Sequence, residues 1–376
     1  MSTRTSAARL TNDVRVRAVV VPFVLSRVIV LVALVLTRHV FRAASAKPLP
    51  IQARLGLLGW DAAWYRDIAH GGYGSVPKVG LRFFPLYPML ARVVSWAPGV
   101  STGFATLLVA NLCALAAGFL VFELARREGK GVALARRAVW ILYLAPTAFV
   151  LVMGYAEATL MTAALVALLA FRSRRWWIAA AAGLVAGLTR PVGVMLVVPA
   201  LIEAWQARGA ATRRQAVGAI AAVVAPAAGA GAYLLWAEHR TGDLLYPLSV
   251  QQVSTSRGGW IDPFRAVWRA GRQAADGGHL SAGIHIVTAA VLVVLIVVLW
   301  RRWPASFTAY AITVVVIGLS ARNLDSLERY SLSTVPLVLA AADITGGGTR
   351  ERVILTALGA LLVVCTVLAF SGLLVP

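Results

Sequence analysis

Residues 18–37 read AVVVPFVLSRVIVLVALVLT, and the fold class turns on this run. Its length is that of a helix crossing a bilayer, which takes about 20 predominantly apolar residues. Comparable runs recur along the chain, among them GFATLLVANLCALAAGFLVF at 103–122 and IVTAAVLVVLIVVLW at 286–300. Only 14% of the 376 residues are charged and 60% are hydrophobic. A soluble domain carries about 25% charged residues. The mean hydropathy of +0.78 agrees with residence in a bilayer. The expected fold class is therefore an all-α polytopic membrane protein, a single integral-membrane domain over 1–376.

A net charge of +21 raises the question of nucleic acid, and the placement of the bases answers it. They form no block or stripe. Instead they punctuate the apolar runs, as ELARREGK at 123–130, RSRRWW at 172–177, QARGAATRRQ at 206–215 and RRW at 301–303. Short basic loops between spans are what keeps a loop in the cytoplasm. No nucleic-acid partner is expected; the bilayer is. Cys113 and Cys365 both fall inside apolar runs, where a thiol behaves as a small hydrophobe. The N-terminal run is longer than the usual signal-peptide core and carries Arg27, so it reads as an uncleaved first span.

Taking basic loops as inside gives one path of about eleven spans. The N-terminus is cytoplasmic, span one covers about 18–37, and a large external loop covers about 38–102. Span two is about 103–122. Two tight hairpins share 139–171 and 177–205, turning at GYAE (154–157) and at TRPVG (189–193). Span seven, about 218–237, leads to a second external loop at about 238–280, and the remaining spans close the path. Each hairpin leg has about 13–15 residues, or about 20–22 Å of helix. That falls short of the roughly 30 Å hydrocarbon core. The two turns are thus expected to lie recessed and to line a wet depression, because irregular backbone and charge do not face lipid. Glu157 and Arg190 would sit there. Arg27 lies mid-span, where a guanidinium costs about 2.5–3.5 kcal/mol on insertion scales, and such groups commonly mark a substrate path.

The first external loop holds the densest polar chemistry, WDAAWYRDIAHGGYG at 60–74. Its spacing is helical up to the glycines, with Asp61, Tyr65 and Ile68 on one face and Trp60, Trp64 and Asp67 on another. An amphipathic helix at the membrane interface fits it, with Trp and Tyr rings at headgroup level. Taken alone it is equally an interfacial anchor. The later external turn ARNLDSLERYS (321–331) adds Arg322, Arg329 and Tyr330. An acid, several arginines at interface depth and an aromatic rim suit a substrate with an apolar tail and an anionic phosphate, which the arginine fork binds through two oxygens at once.

These stretches carry a resemblance. WDAAWYRDIAHGGYG followed by RFFPLYPML (82–90) resembles the first-loop signature of the PIG-V family, the second mannosyltransferase of glycosylphosphatidylinositol assembly, and its bacterial relatives. That family belongs to the GT-C superfamily of multi-span glycosyltransferases. APTAFVLVMGYAEATLM (145–161), AGLTRPVG (186–193) and LERYSLSTVPLVLA (327–340) resemble the same pattern in order. The resemblance implies a GT-C fold and an inverting mannosyltransferase of the cell membrane. The donor would be polyprenyl-phosphate-mannose and the acceptor a glycolipid, glycan or protein, with the active site extracytoplasmic. It implies Asp61, beside Trp60, as catalytic base. Arg190 and Arg329 would hold phosphate, with Arg322 and His70 behind them, and Tyr65, Tyr87 and Trp260 would line the sugar or lipid path. Asp67 is a rival base. Asp61 is followed by Ala62 and Ala63, so no DxD pair is present to hold a nucleotide sugar through a metal. No cofactor is expected, and a divalent metal is at most optional. The main alternative is a flippase or transporter of lipid-linked sugars, against which stands the lack of a convincing internal repeat. A lipid-binding scaffold is the third reading. Mannose is distinguished from another sugar by the resemblance alone.

Overall fold

The computed structural model describes residues 2–44, 48–253, 257–276 and 280–376, and the described residues are helical throughout apart from connections and one isolated bridge between Trp260 and Ala321. In chain order the helices are α1 (Ser2–Ala44), α2 (Ile51–Leu55), α3 (Asp61–Gly71), α4 (Leu86–Val94), α5 (Thr102–Arg127), α6 (Gly131–Leu144), α7 (Glu157–Arg172), α8 (Trp176–Thr189) and α9 (Val197–Ala207). There follow α10 (Arg213–Thr241), α11 (Tyr246–Ser249), α12 (Pro263–Ala275), α13 (Leu280–Arg302), α14 (Ala305–Leu319), α15 (Leu327–Ser333), α16 (Val335–Thr345) and α17 (Thr349–Phe370).

Five of these contain a stretch long and apolar enough to cross a membrane: Asp13–Ala43, Thr102–Arg127, Arg213–Thr241, Ser281–Arg302 and Thr349–Phe370. They correspond to expected spans one, two, seven, eight and eleven. Three shorter apolar helices, α8, α14 and α16, fall within the regions of the remaining spans. By length and composition, five of the expected eleven are candidate spans among the described residues. Local sequence sets the helix starts. Ser101 caps α5 by accepting from Phe104 N, and Thr212 with Gln215 forms a capping box on α10.

Small residues bring α8 and α10 together. A Cβ on Gly187 would lie 2.0 Å from the Pro226 carbonyl oxygen, and one on Gly229 would lie 2.4 Å from that of Leu184. Only glycine permits such backbone approach, the usual route to close helix contact in lipid.

Both expected hairpins are interrupted. The second breaks at the expected TRPVG turn, and the first over 145–156, a longer break that begins nine residues before GYAE and leaves Glu157 as the first residue of α7. The helical run through α6 stops at Leu144, before Ala145 and Pro146, because a residue preceding proline avoids the α conformation. It resumes at Glu157, the last residue of GYAE. Similarly, α8 stops at Thr189, and Arg190 before Pro191 is extended. The first break frees backbone carbonyls inside the fold, and Arg27 meets them. Its Nη2 donates to Leu151 O at 3.0 Å, while Nε donates to Asn111 Oδ1 at 3.1 Å. Asn111 in turn donates to Val152 O at 3.1 Å, and the guanidinium lies 3.6 Å from the Phe23 ring centroid. Arg27, expected to mark a substrate path, instead clamps unwound backbone, because those oxygens have no water to bond.

Candidate active site

Asp61 opens α3, and an unusual backbone places it there. Trp60 has φ +54°, a region that non-glycine residues seldom occupy at a cost of about 1–3 kcal/mol. Both ends of Trp60 are tied down: its backbone N–H donates to Gln52 Oε1 at 2.9 Å, and its indole N–H to Ala369 O at 3.0 Å. The kink turns the first residue of α3 into the protein interior. A carboxylate in the first turn also meets the positive end of the helix dipole. Tyr65 and Ile68, one and two turns on, are buried, as the helical spacing anticipated, and the helix ends at Gly71–Gly72.

Three other segments converge on Asp61. Arg329 of α15 donates from Nη1 to Asp61 Oδ2 at 2.6 Å and from Nη2 to Ser326 Oγ at 2.9 Å. Its Nε lies 3.1 Å from Glu157 Oε1. That same Glu157 oxygen accepts from Arg190 Nη1. Arg82 Nη2 lies 4.0 Å from Asp61 Oδ1, and Tyr155 Oη accepts from the Asp61 backbone N–H at 3.3 Å. Glu157 is 1% exposed, and a carboxylate this deep is costly to bury without partners. Two arginines share it. The Asp61 carboxyl is raised by burial but lowered further by Arg329 beside it, and ends below the usual carboxylate value. It is ionised across the neutral range.

Aromatic rings hold the arginines without neutralising them. Arg190 lies 5.5 Å from the Tyr330 centroid, Arg257 5.0 Å from the same ring, and Arg329 5.6 Å from that of Tyr155. These are cation–π distances.

The cluster forms the wall of a polar cavity of about 270 Å³, bounded by Trp60, Asp61, Tyr65, Arg82, Arg190, Arg257, Arg329 and Tyr330 among others. A second cavity of about 370 Å³ adjoins it and is apolar, lined by residues such as Val192, Val194, Met195, Leu234, Leu248 and Trp260. Phe84, Pro191, Gln251, Arg257 and Tyr330 belong to both walls. A ligand with a charged head and an apolar tail could span the two. Among the described residues, no three His, Cys, Asp or Glu side chains come together as a metal site.

Of the residues the sequence singled out, the structure gathers Asp61, Trp60, Tyr65, Arg190 and Arg329 at the polar cavity, and Trp260 at the apolar one. Glu157 touches two of the arginines but does not line the cavity; it stands behind them. Three others are elsewhere. His70 lies nine residues after Asp61, about half a turn out of phase at 100° per residue, and its Nδ1 is 3.3 Å from Thr102 Oγ1. Tyr87 is fully buried, its hydroxyl donating to Thr106 O at 2.8 Å and its ring set edge-on to Tyr65. Arg322 is exposed and packs over Gly258. The rival base Asp67 is also exposed, paired with its neighbour Arg66. Arg82, Tyr155 and Arg257 were not singled out. Arg82 and Tyr155 nevertheless stand inside quoted stretches, RFFPLYPML and GYAE. Arg257 carried no local signal.

The described residues form an all-helical membrane protein with five candidate spans. The chain is similar in structure to ArnT from Cupriavidus metallidurans, seen in a crystal structure bound to undecaprenyl phosphate, with a TM-score of 0.54 and 16% sequence identity. The match covers 91% of this chain and 62% of ArnT, so the chain spans less than two thirds of that protein's length. At this identity the likeness is one of fold. No family model matches the sequence, and no curated protein does.

Proposed function

We propose that this protein is an inverting glycosyltransferase that takes a sugar from a polyprenyl-phosphate carrier, with Asp61 as catalytic base. The observation that carries the reading is the position of Asp61 on an arginine-walled polar cavity that shares wall residues with an apolar one. The undecaprenyl phosphate bound by ArnT, which shares this fold, supports a lipid phosphate as the ligand. Mannose as the sugar rests on the PIG-V resemblance.

In this reading the donor phosphate lies among Arg190, Arg257 and Arg329, and its polyprenyl tail follows the apolar cavity. The acceptor hydroxyl oxygen attacks the anomeric carbon from the face opposite the phosphate. The bond from that carbon to the phosphate oxygen breaks, and Asp61 takes the hydroxyl proton. A positioned base of this kind contributes about 10²- to 10⁴-fold. The arginines stabilise the charge that develops on the leaving phosphate, so no acid is required on that side. Arg329 couples the two events. Bonded to Asp61, it holds the carboxylate at low basicity; drawn toward the donor phosphate, it releases Asp61 to accept a proton. The excess of basic residues in the loops taken as inside supports an extracytoplasmic site and a cytoplasmic N-terminus. The acceptor is a glycolipid, glycan or protein on that face.

The test incubates purified wild type and Asp61→Asn with radiolabelled polyprenyl-phosphate-mannose and a membrane lipid extract. Label entering new products with wild type but not with a folded, donor-binding mutant is the expected result. Equal transfer by both removes Asp61 from the chemistry. Donor binding without transfer to any fraction favours translocation of the lipid-linked sugar instead.

A further inference from the structure

The polar cavity has an unbalanced wall. Arg82, Arg190, Arg257 and Arg329 supply only hydrogen-bond donors. A sugar hydroxyl bound there must also place its own proton on an acceptor. Of the two carboxylate side chains in the wall, Asp61 is already engaged by Arg329. The other is Asp325, which meets no arginine among the described residues.

Asp325 is held from behind by a buried histidine. Its Oδ1 lies 3.5 Å from His285 Nε2, and its side chain is 42% exposed toward the cavity. His285 is 5% exposed, and its other ring nitrogen, Nδ1, lies 2.8 Å from Glu328 Oε1. Glu328 thereby fixes the ring so that Nε2 points to the cavity wall, the way a second partner commonly orients an imidazole. At 3.5 Å and with no hydrogen bond from Nε2 among the described residues, His285 stands beside Asp325 and leaves its oxygens able to accept from a ligand. Neither His285 nor Glu328 lines the cavity, so their arrangement acts on it only through Asp325. The neighbouring Asn323 and Ser326 belong to the same wall, and Ser326 is tied to Arg329.

We infer that Asp325 binds adjacent hydroxyls of the sugar in the cavity, with His285 and Glu328 as positioning residues. A carboxylate accepts hydrogen bonds from two hydroxyls at once, and bonds to a charged acceptor are about twice as strong as neutral ones. This inference rests on the proposed function, since it assumes a sugar-bearing ligand. The shared chemistry is a vicinal diol, which either the donor's sugar or a sugar on the acceptor supplies.

The experiment measures equilibrium binding of polyprenyl-phosphate-mannose and of bare polyprenyl phosphate to the full-length protein in nanodiscs, for wild type, Asp325→Ala, Asp325→Asn and His285→Gln. Wild type is expected to bind both lipids. Asp325→Ala is expected to bind the mannose-bearing lipid about 10-fold more weakly, the loss of roughly one bond to a charged group, with the bare lipid unchanged. Asp325→Asn should lie between, and His285→Gln should show the same split at smaller size. A purely structural role would weaken both lipids together and lower the melting temperature, and that result overturns the inference. If both lipids bind as in wild type while acceptor saturation in the transfer assay weakens, Asp325 meets the acceptor's sugar. Wild-type behaviour of Asp325→Ala in binding and transfer also overturns it, while leaving the lipid-phosphate reading intact. Failure of wild type to bind the bare lipid overturns both.

Discussion

Two arginines in this protein sit in apolar surroundings and do opposite things. Arg27 bonds a side-chain amide and backbone oxygens, and its guanidinium is stacked on a phenylalanine. Arg329 forms ion pairs with two carboxylates, one of them 26% exposed on a cavity wall. Burial of charge is common to both, yet only the second leaves the charge facing open space. The partners therefore distinguish them: neutral oxygens freed by a broken helix call for a structural donor, whereas carboxylates held beside an arginine-lined cavity fit the proposed reaction site.

That contrast can be broken by substitution. The largest effect is expected from Asp61→Asn, which should lower transfer about 10²- to 10⁴-fold with expression and donor binding retained. Radiolabel transfer is the readout, and near-normal activity would reduce the Arg329 cluster to the same structural class as Arg27. Next comes Glu157→Gln, which leaves Arg190 and Arg329 buried over a neutral amide. Breaking a buried pair costs about 3–5 kcal/mol, so a lower melting temperature should accompany weaker donor binding. Arg27→Met should cost less, about 1–3 kcal/mol for the oxygens left unpaired, and should leave kcat unchanged in the surviving folded protein. A selective fall in kcat would restore Arg27 to the substrate path.

The smallest effect is in pH dependence. The Asp61 carboxyl is depressed in the folded protein, so its pairing stabilises above the ordinary aspartate value of about 3.9 and is lost as pH falls through the lower folded value. The melting-temperature advantage of wild type over Asp61→Asn should stay flat from neutral pH down to about 5 and shrink below about 4. An advantage that disappears near pH 6 would show that Asp61 is not held by Arg329.

Much of the fold was legible along the chain because lipid imposes a one-dimensional rule. A helix crossing hydrocarbon satisfies its own backbone, so an apolar run of sufficient length marks a span wherever it falls. The break at Pro191 was equally local and placed Arg190 at an interruption, whereas the stop before Pro146 came nine residues ahead of the turn expected at GYAE. Side-chain destinations were less legible. His70 shares the signature stretch with Asp61 but faces away by helical phase. Tyr87 fills the core behind Tyr65. Arg322 and Arg329 share one turn, yet only Arg329 reaches the cavity.

By itself, then, the sequence determined membrane residence, the long apolar helices, and that the stretch 60–74 carries residues of the polar cavity. Only the tertiary structure decided that residues 61, 157, 190 and 329 share one ion network, that Arg27 does not belong to it, and that residues 82, 257 and 325 do line its cavity. The physical reason is that hydrophobic length and proline stops act on neighbouring residues, whereas an ion network is fixed by which helices pack together. Arg329 finds Asp61 across 268 positions of chain, and no local pattern encodes that separation.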